Sequence, residues 1–327
     1  MSDFFSPVDS PDDTVAARVT AALNASARGR SLGRLADVAA WVAACQGTQQ
    51  PQPFHRAHAI VVAGNHGVAG RGVSAHTTDA GVEQAAELAA GGGPASVAAR
   101  AANCTVRLVD DWLAAPTGSI DVEDAMDAET FARALELGRN LADQEVDAGT
   151  DLVVTGDVGI GNTTVAAALF GTFTATEPVV AVGRGSGIND GAWKTKTAAI
   201  RDAMFRVRDF RDDVPRVLTA ISGPDLVTLV GLIAQSAVRR TPVLLDGPYT
   251  AVAAYAAERL APGTRRWLAA AQSSAEPAHR VCLDALGLTP LVDLGMATGQ
   301  ATGALLALPL INAAAEMAAD EIAALQR

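Results

Sequence analysis

Six short apolar runs rich in β-branched residues alternate with long Ala-rich stretches of helical periodicity along the 327 residues, and no other feature constrains the fold as tightly. Parallel strands need crossovers between them, usually helical, and this is the pattern such a sheet leaves in a sequence. The runs predict strands at Ala59–Ala63, Val106–Asp110, Leu152–Thr155, Val179–Val182, Val243–Asp246 and Leu291–Asp293. The expected fold is therefore α/β: a three-layer, mostly parallel, Rossmann-like sheet flanked by helices. Helical patterns from Asp13 to Cys45 and from Thr302 to Leu325 lie outside the alternation. Residues 1–50 and 302–327 are thus expected to pack as a small helical subdomain beside a large α/β domain of residues 51–301.

Hydrophobic residues make up 49% and charged ones 19%, which supplies a core and rules out a disordered chain. Aromatic residues are only 4% and the net charge is −11, so a nucleic-acid partner is not expected: neither stacking platforms nor a basic face is available. The stretch Asp110–Asp151 holds 12 acidic residues against Arg133 and Arg139 and reads as a solvated acidic face. Three cysteines without paired spacing, Cys45, Cys104 and Cys282, predict free thiols in a reducing, cytoplasmic compartment. The first residues, MSDFFSPVDSPDD, carry no basic or apolar stretch of a signal peptide. No uninterrupted apolar run reaches the length of a membrane span, so no membrane crossing is expected.

Ligands of open α/β sheets bind beyond the carboxyl ends of the strands. The segments to read for chemistry are AGNHG, TGDVGIGN, VGRGSGIND, LLDGP and VDLGMATG. In Thr155–Thr164 (TGDVGIGNTT), glycines let the backbone approach an anion, and Thr163 and Thr164 are placed to cap the next helix and donate to a phosphate. An ordinary capped turn is the other reading. Gly183–Gly187 (GRGSG) repeats the design, followed by Lys194 and Lys196, which face different ways on a helix. Lys196 is either a phosphate anchor or a solvated cation. His66 sits among glycines at a strand end, where a structural hydrogen-bonding role is the favoured one. Ser274–Pro277 (SAEP) reads as a helix start that brings Glu276 and His279 onto one face. On the last helix Glu316 and Asp320, four apart, share a face, where each raises the other's pKa if desolvated; a frayed, solvated helix end is the alternative.

Taken together these segments resemble the nicotinate-nucleotide:dimethylbenzimidazole phosphoribosyltransferase family of cobalamin nucleotide-loop assembly. SLGRL at 31–35, AGNHGV at 63–68, GVSA at 72–75, GDVGIGNTT at 156–164, GRGSGI at 183–188, RRTPVLLDG at 239–247, SAEPAH at 274–279 and DLGMATGQATGA at 293–304 follow the family's order over nearly the whole chain. GIGNTT is the specific one, and the wording is most like the actinobacterial branch. The resemblance implies a homodimer, without metal or redox cofactor. Its implied reaction moves the phosphoribosyl group of nicotinate mononucleotide to a benzimidazole-type base, giving α-ribazole 5′-phosphate and nicotinate. It implies that Gly159, Gly161, Asn162, Thr163, Gly185, Ser186 and Lys196 bind phosphate and ribose, that Ser74, His76, Glu83, Gln84 and Asp157 meet the base, and that a carboxylate, Asp320 or else Glu316, takes the proton. Departures cluster at the site: Asn65, Asp157 and Gln300 replace acidic residues of the family pattern or shorten them, and Asp320 stands at the position of its catalytic glutamate. A second reading follows from them, a catalytically impaired paralogue that binds nucleotide or aromatic base as a sensor or heterodimer subunit.

Overall fold

A computed structural model describes residues 4–325. Five strands, β1 (Ala57–Gly64), β2 (Thr105–Trp112), β3 (Leu152–Val158), β4 (Val243–Leu245) and β5 (Leu268–Ala270), form one sheet of order β2-β1-β3-β4-β5. Every pairing is parallel, with Ala59 opposite Val106 on one side and Val154 on the other. β1 and β3 are buried along almost their whole length, as their unbroken apolar runs require, whereas edge strand β2 alternates. One hydrophobic layer packs helices Ala128–Asp147, Asn162–Thr174, Pro224–Val238 and Pro248–Leu260 on one sheet face. The opposite layer holds Ala80–Ala89, Gly93–Ala101 and the first half of Thr302–Leu325. The chain leaves β1 outward to β2 and then crosses back to β3, so the strand order reverses between β1 and β3. Loops diverge there and leave a crevice.

Four of the six expected strands lie in this sheet; two expectations need correction. Val179–Val182 is not a strand: Pro178 opens a short helix, Pro178–Ala181, and Val179 and Val180 are more than half exposed, so no sheet face claims them. Leu291–Asp293 contributes only β7 (Val292–Asp293), paired with β6 (Gln272–Ser273) outside the main sheet. The fifth sheet strand, β5, is three residues of Leu-Ala-Ala, too short and too Ala-rich to stand out from its helical surroundings.

The helical pattern Asp13–Cys45 breaks into Asp13–Asn24, Ala27–Arg30 and Arg34–Gln46, because Ser26 caps a new turn and Gly33 interrupts at φ +55°. Val15, Val19 and Leu23 pack with Ala39 and Ala43 and with Ala314, Ala318 and Ile322 of the last helix. That helix also sends Leu305, Leu308 and Ile311 into the sheet layer, and so runs from one cluster into the other. We propose this terminal cluster as the core of the helical subdomain of residues 1–50 and 302–327; residues 1–3 and 326–327 lie outside the described ones. By length and mean hydropathy Thr302–Leu325 reaches what a bilayer span needs, although Asn312 and Glu316 interrupt its apolar run, and more than half of its apolar window is buried inside this fold.

The crossing of Ala128–Asp147 with Pro224–Val238 shows how small residues set the layer spacing. A Cβ on Gly138 would sit 2.0 Å from the Thr228 carbonyl, and one on Gly231 would sit 2.4 Å from the Leu135 carbonyl. Both obstacles are backbone, so neither can swing aside. Gly231→Ala is expected to cost about 1–3 kcal/mol, the usual range for overpacking. Gly70→Ala, where a Cβ meets nothing within 4 Å, should stay within about 0.5 kcal/mol of the parent. Urea denaturation checks both; equal losses would contradict the crossing argument.

Candidate active site

The crevice beyond β1 and β3 is a cleft lined by four of the strand-end segments that the sequence marks for chemistry. β3 delivers Asp157, then the chain turns through Gly159–Gly161 into helix Asn162–Thr174. Gly161 takes φ +97°, a conformation that only glycine adopts without strain, and this turn places the start of the helix, Asn162 and Thr163, at the cleft. Neither Thr163 nor Thr164 caps it, contrary to expectation: the cap position is Gly161 and no side chain bonds there. Thr164 is buried, while Thr163 lines the cleft and accepts from Lys196 Nζ at 2.8 Å.

Lys196 is fully buried beneath this end of the cleft, which excludes the solvated-cation reading. Burial pulls its pKa down, and Glu276, whose Oε2 lies 3.7 Å from Nζ, opposes that. Glu276 also accepts from the Gly185 N–H at 2.7 Å. The glutamate read as part of a helix start therefore touches two of the expected phosphate donors. Ser274 does not cap that helix with its side chain; the cap position is Glu276 itself, and Ser274 Oγ pairs with His279 Nδ1 at 3.0 Å. Burial holds His279 down to about 4, so it is neutral at physiological pH. Across the cleft Ser186 Oγ meets Ser74 Oγ at 3.0 Å and accepts from the Ala75 N–H, joining the second glycine loop to the segment after β1.

The floor is acidic. Burial raises the Asp157 carboxyl to about 7, with Asp246 and Asp225 adding their charge and a hydrogen bond from Asn162 opposing. Burial likewise raises Asp246 to about 6, against hydrogen bonds that include the Ala304 N–H at 3.0 Å and Gln272 Nε2 at 3.2 Å. Behind them Tyr249 OH donates to Asp225 Oδ2 at 2.7 Å, and His66 Nε2 lies 3.3 Å from the same oxygen. His66 is thus buried in a hydrogen-bonded cluster and does not line the cleft. Among the described residues no group of three His, Cys, Asp or Glu converges as metal ligands do.

Of the residues drawn from the sequence, Gly159, Gly161, Asn162, Thr163, Gly185, Ser186, Ser74, His76, Gln84 and Asp157 come together around this cleft. Glu83 does not: it is exposed on helix Ala80–Ala89, one residue off the face that presents Gln84. Glu316 and Asp320 are exposed far along Thr302–Leu325, whose start adjoins the cleft. At about 1.5 Å per residue, Asp320 stands about 27 Å down the helix from Thr302 and cannot reach the cleft of its own chain. Asp246, Gln272, Tyr249 and Glu276 were missed. LLDGP at a strand end pointed to Asp246, but Gln272 follows β5, which was itself unseen.

Glycine-rich turns facing buried carboxyls at the switch point of a parallel sheet define an α/β protein with a ligand cleft beyond its strand ends. Residues 8–325 match a family profile described as "Phosphoribosyltransferase". The chain is 49% identical to the nicotinate-nucleotide–dimethylbenzimidazole phosphoribosyltransferase of Corynebacterium efficiens, covering 98% of this chain and 90% of the relative. It is 46% identical to the protein of that name from Mycobacterium avium, covering 95% and 93%. Two solved structures from Thermus thermophilus superpose on it. One is named for the same enzyme, with TM-score 0.87 and 33% identity over 94% of this chain and 96% of that one. The other is named CobT, with TM-score 0.89 and 34% identity over 93% and 96%. The chain belongs to the nicotinate-nucleotide:dimethylbenzimidazole phosphoribosyltransferase family.

The raised carboxyls make stability pH-dependent. Because folded Asp157 holds its proton more tightly than the unfolded residue, whose pKa is about 3.9, stability falls as pH rises from about 4 towards 7. Asp157→Asn should flatten the thermal midpoint over roughly the upper part of that window, from about pH 6 to about pH 7, leaving the Asp246 slope below it. Parallel parent and variant curves from about pH 4 to about pH 8 would contradict the assignment.

Proposed function

We propose that this chain transfers the 5-phosphoribosyl group of nicotinate mononucleotide to a nitrogen of a lower-ligand base such as 5,6-dimethylbenzimidazole, yielding α-ribazole 5′-phosphate and nicotinate. The observation that carries this reading is the lining of the cleft: the glycine turns Gly159–Gly161 and Gly185, Thr163 with buried Lys196 behind it, and the carboxyls of Asp157 and Asp246. A phosphate suits the glycine turns, with the helix start and the lysine behind Thr163. Positive charge that develops on the ribose ring suits the carboxyls. The base nitrogen bonds to C1′ as the bond from C1′ to the pyridinium nitrogen breaks. That electron pair returns to the pyridine ring and cancels its positive charge. The remaining N–H proton of the base then needs an acceptor.

On its own chain Asp320 is out of reach, so we infer that a second copy supplies it. The same helix supports this: Leu306, Leu310 and Met317, spaced by four and seven residues, leave an apolar stripe exposed at 42%, 40% and 47%. A homodimer that covers the stripe brings one subunit's Asp320 and Glu316 toward its partner's cleft. The free thiols of Cys45, Cys104 and Cys282 support a reducing, cytoplasmic setting.

Nicotinate release, followed by chromatography with nicotinate mononucleotide and a panel of benzimidazoles, phenols and purines, tests the activity; no release with any base would sink it. Asp320→Asn should lower turnover by about 10²- to 10⁴-fold, the span typical of a lost general base. Glu316→Gln should match it only if Glu316 holds the role. If both single variants and the double variant turn over like the parent, the proton acceptor lies elsewhere.

A further inference from the structure

The turn that leads into helix Thr302–Leu325 carries three consecutive residues in the left-handed region: Gly299 at φ +64°, Gln300 at +60° and Ala301 at +64°. Two of them lack glycine's freedom, so the backbone here is strained. The surroundings enforce it. Gln300 N–H donates to the Asp157 carbonyl at 3.1 Å, and Thr302 N–H donates to the Gly299 carbonyl at 3.0 Å. Ala301 is pressed onto β3 so closely that a Cβ on Gly156 would lie 2.4 Å from its nitrogen. Strain of this kind persists only where packing over-determines it, and it gathers at sites where a side chain must be held in place.

The side chain held here is Gln300. It is only 8% exposed, it lines the cleft, and its carboxamide has no hydrogen-bond partner among the described residues. The amide is thus left to the cleft, where an occupant can pair with it. The chemistry of that occupant follows from the neighbours. Asp157 and Asp246 line the same cleft, and their carboxyls disfavour a phosphate or a pyridine carboxylate beside Gln300. A carboxamide offers one donor group and one acceptor, which matches a neutral partner of the same kind.

We propose that Gln300 is a specificity-determining residue whose carboxamide pairs with a neutral group of the reactants that both donates and accepts, either a ribose hydroxyl or the azole edge of the acceptor base. The assignment rests on the phosphoribosyl-transfer reading. The strained turn holds the amide at the depth where such a group passes.

Two measurements on Gln300→Gly and Gln300→Asn test this: calorimetric affinity for nicotinate mononucleotide alone, and KM for 5,6-dimethylbenzimidazole at saturating nucleotide. Glycine relieves the strain, so the thermal midpoint of Gln300→Gly should equal or exceed that of the parent. One of the two constants should still weaken by about tenfold, the loss of one hydrogen bond. Weakened nucleotide affinity identifies the ribose as the partner; a raised KM for the base with unchanged nucleotide affinity identifies the azole. Asparagine tolerates the left-handed region and keeps the amide, so Gln300→Asn should recover part of the loss without a stability change. Both constants within twofold of the parent overturn the proposal. So does a Gln300→Gly protein that loses binding and thermal stability together, which is the mark of a structural role. A parent that binds no nucleotide overturns the functional reading itself, and this assignment with it.

Discussion

The cap that Asp246 places on the last helix ties the cleft to the rest of the molecule. One carboxylate oxygen, Oδ1, accepts from the Ala304 N–H and from Gln272, and so joins the end of β4, the short strand after β5 and the start of Thr302–Leu325. A carboxylate at a helix N-terminus is favoured by the orphan N–H groups and the helix dipole. Here the favour is exchanged for burial, which raises the same carboxyl toward neutrality. Two consequences follow from one contact. The cleft gains an acidic floor, and the helix that starts there is fixed in direction, so that its far end lies about 27 Å away by helix rise.

That direction decides how the chemistry can be assembled. The proposed phosphate seat lies within the chain, since the start of helix Asn162–Thr174, Thr163 and buried Lys196 meet there. Glu276 is the counterweight: it favours the charged form of a fully buried lysine, and it engages the Gly185 N–H that an anion would also seek. The proposed proton acceptor, Asp320, is the part that the chain does not bring to its own cleft. An exposed apolar stripe on the very helix that carries Asp320 makes association of two copies the economical solution, because one contact then buries the stripe and delivers the carboxylate.

Most of this architecture was legible in the sequence, for reasons that differ from one element to the next. β1, β3 and β4 are unbroken apolar runs because they are buried on both faces, and glycine loops mark where they stop. Val179–Val182 carried the same composition, yet Val179 and Val180 are exposed, and composition alone does not separate the two. The glycine loops at the cleft were readable because the residues of one turn stand next to each other in the chain. Gln272 and Tyr249 were not, since tertiary packing alone brings them to the floor that LLDGP at a strand end marked for Asp246. Asp320 shows the opposite limit: its position along the helix was readable, whereas its distance from the cleft depends on where the helix begins.

Subunit complementation tests the central claim, that each cleft is completed by the other copy, most directly. Lys196→Met disables the phosphate end and Asp320→Asn disables the proton acceptor, so each homodimer alone is inactive. Co-refolded in equal amounts, half of the dimers are mixed, and in each of these one cleft has its own Lys196 and the partner's Asp320. The account predicts recovery of about a quarter of the parental rate of nicotinate release, the statistical value for one live site in half of the dimers. No recovery from a mixture shown to contain mixed dimers would contradict it, and would place both residues in the cleft of a single chain.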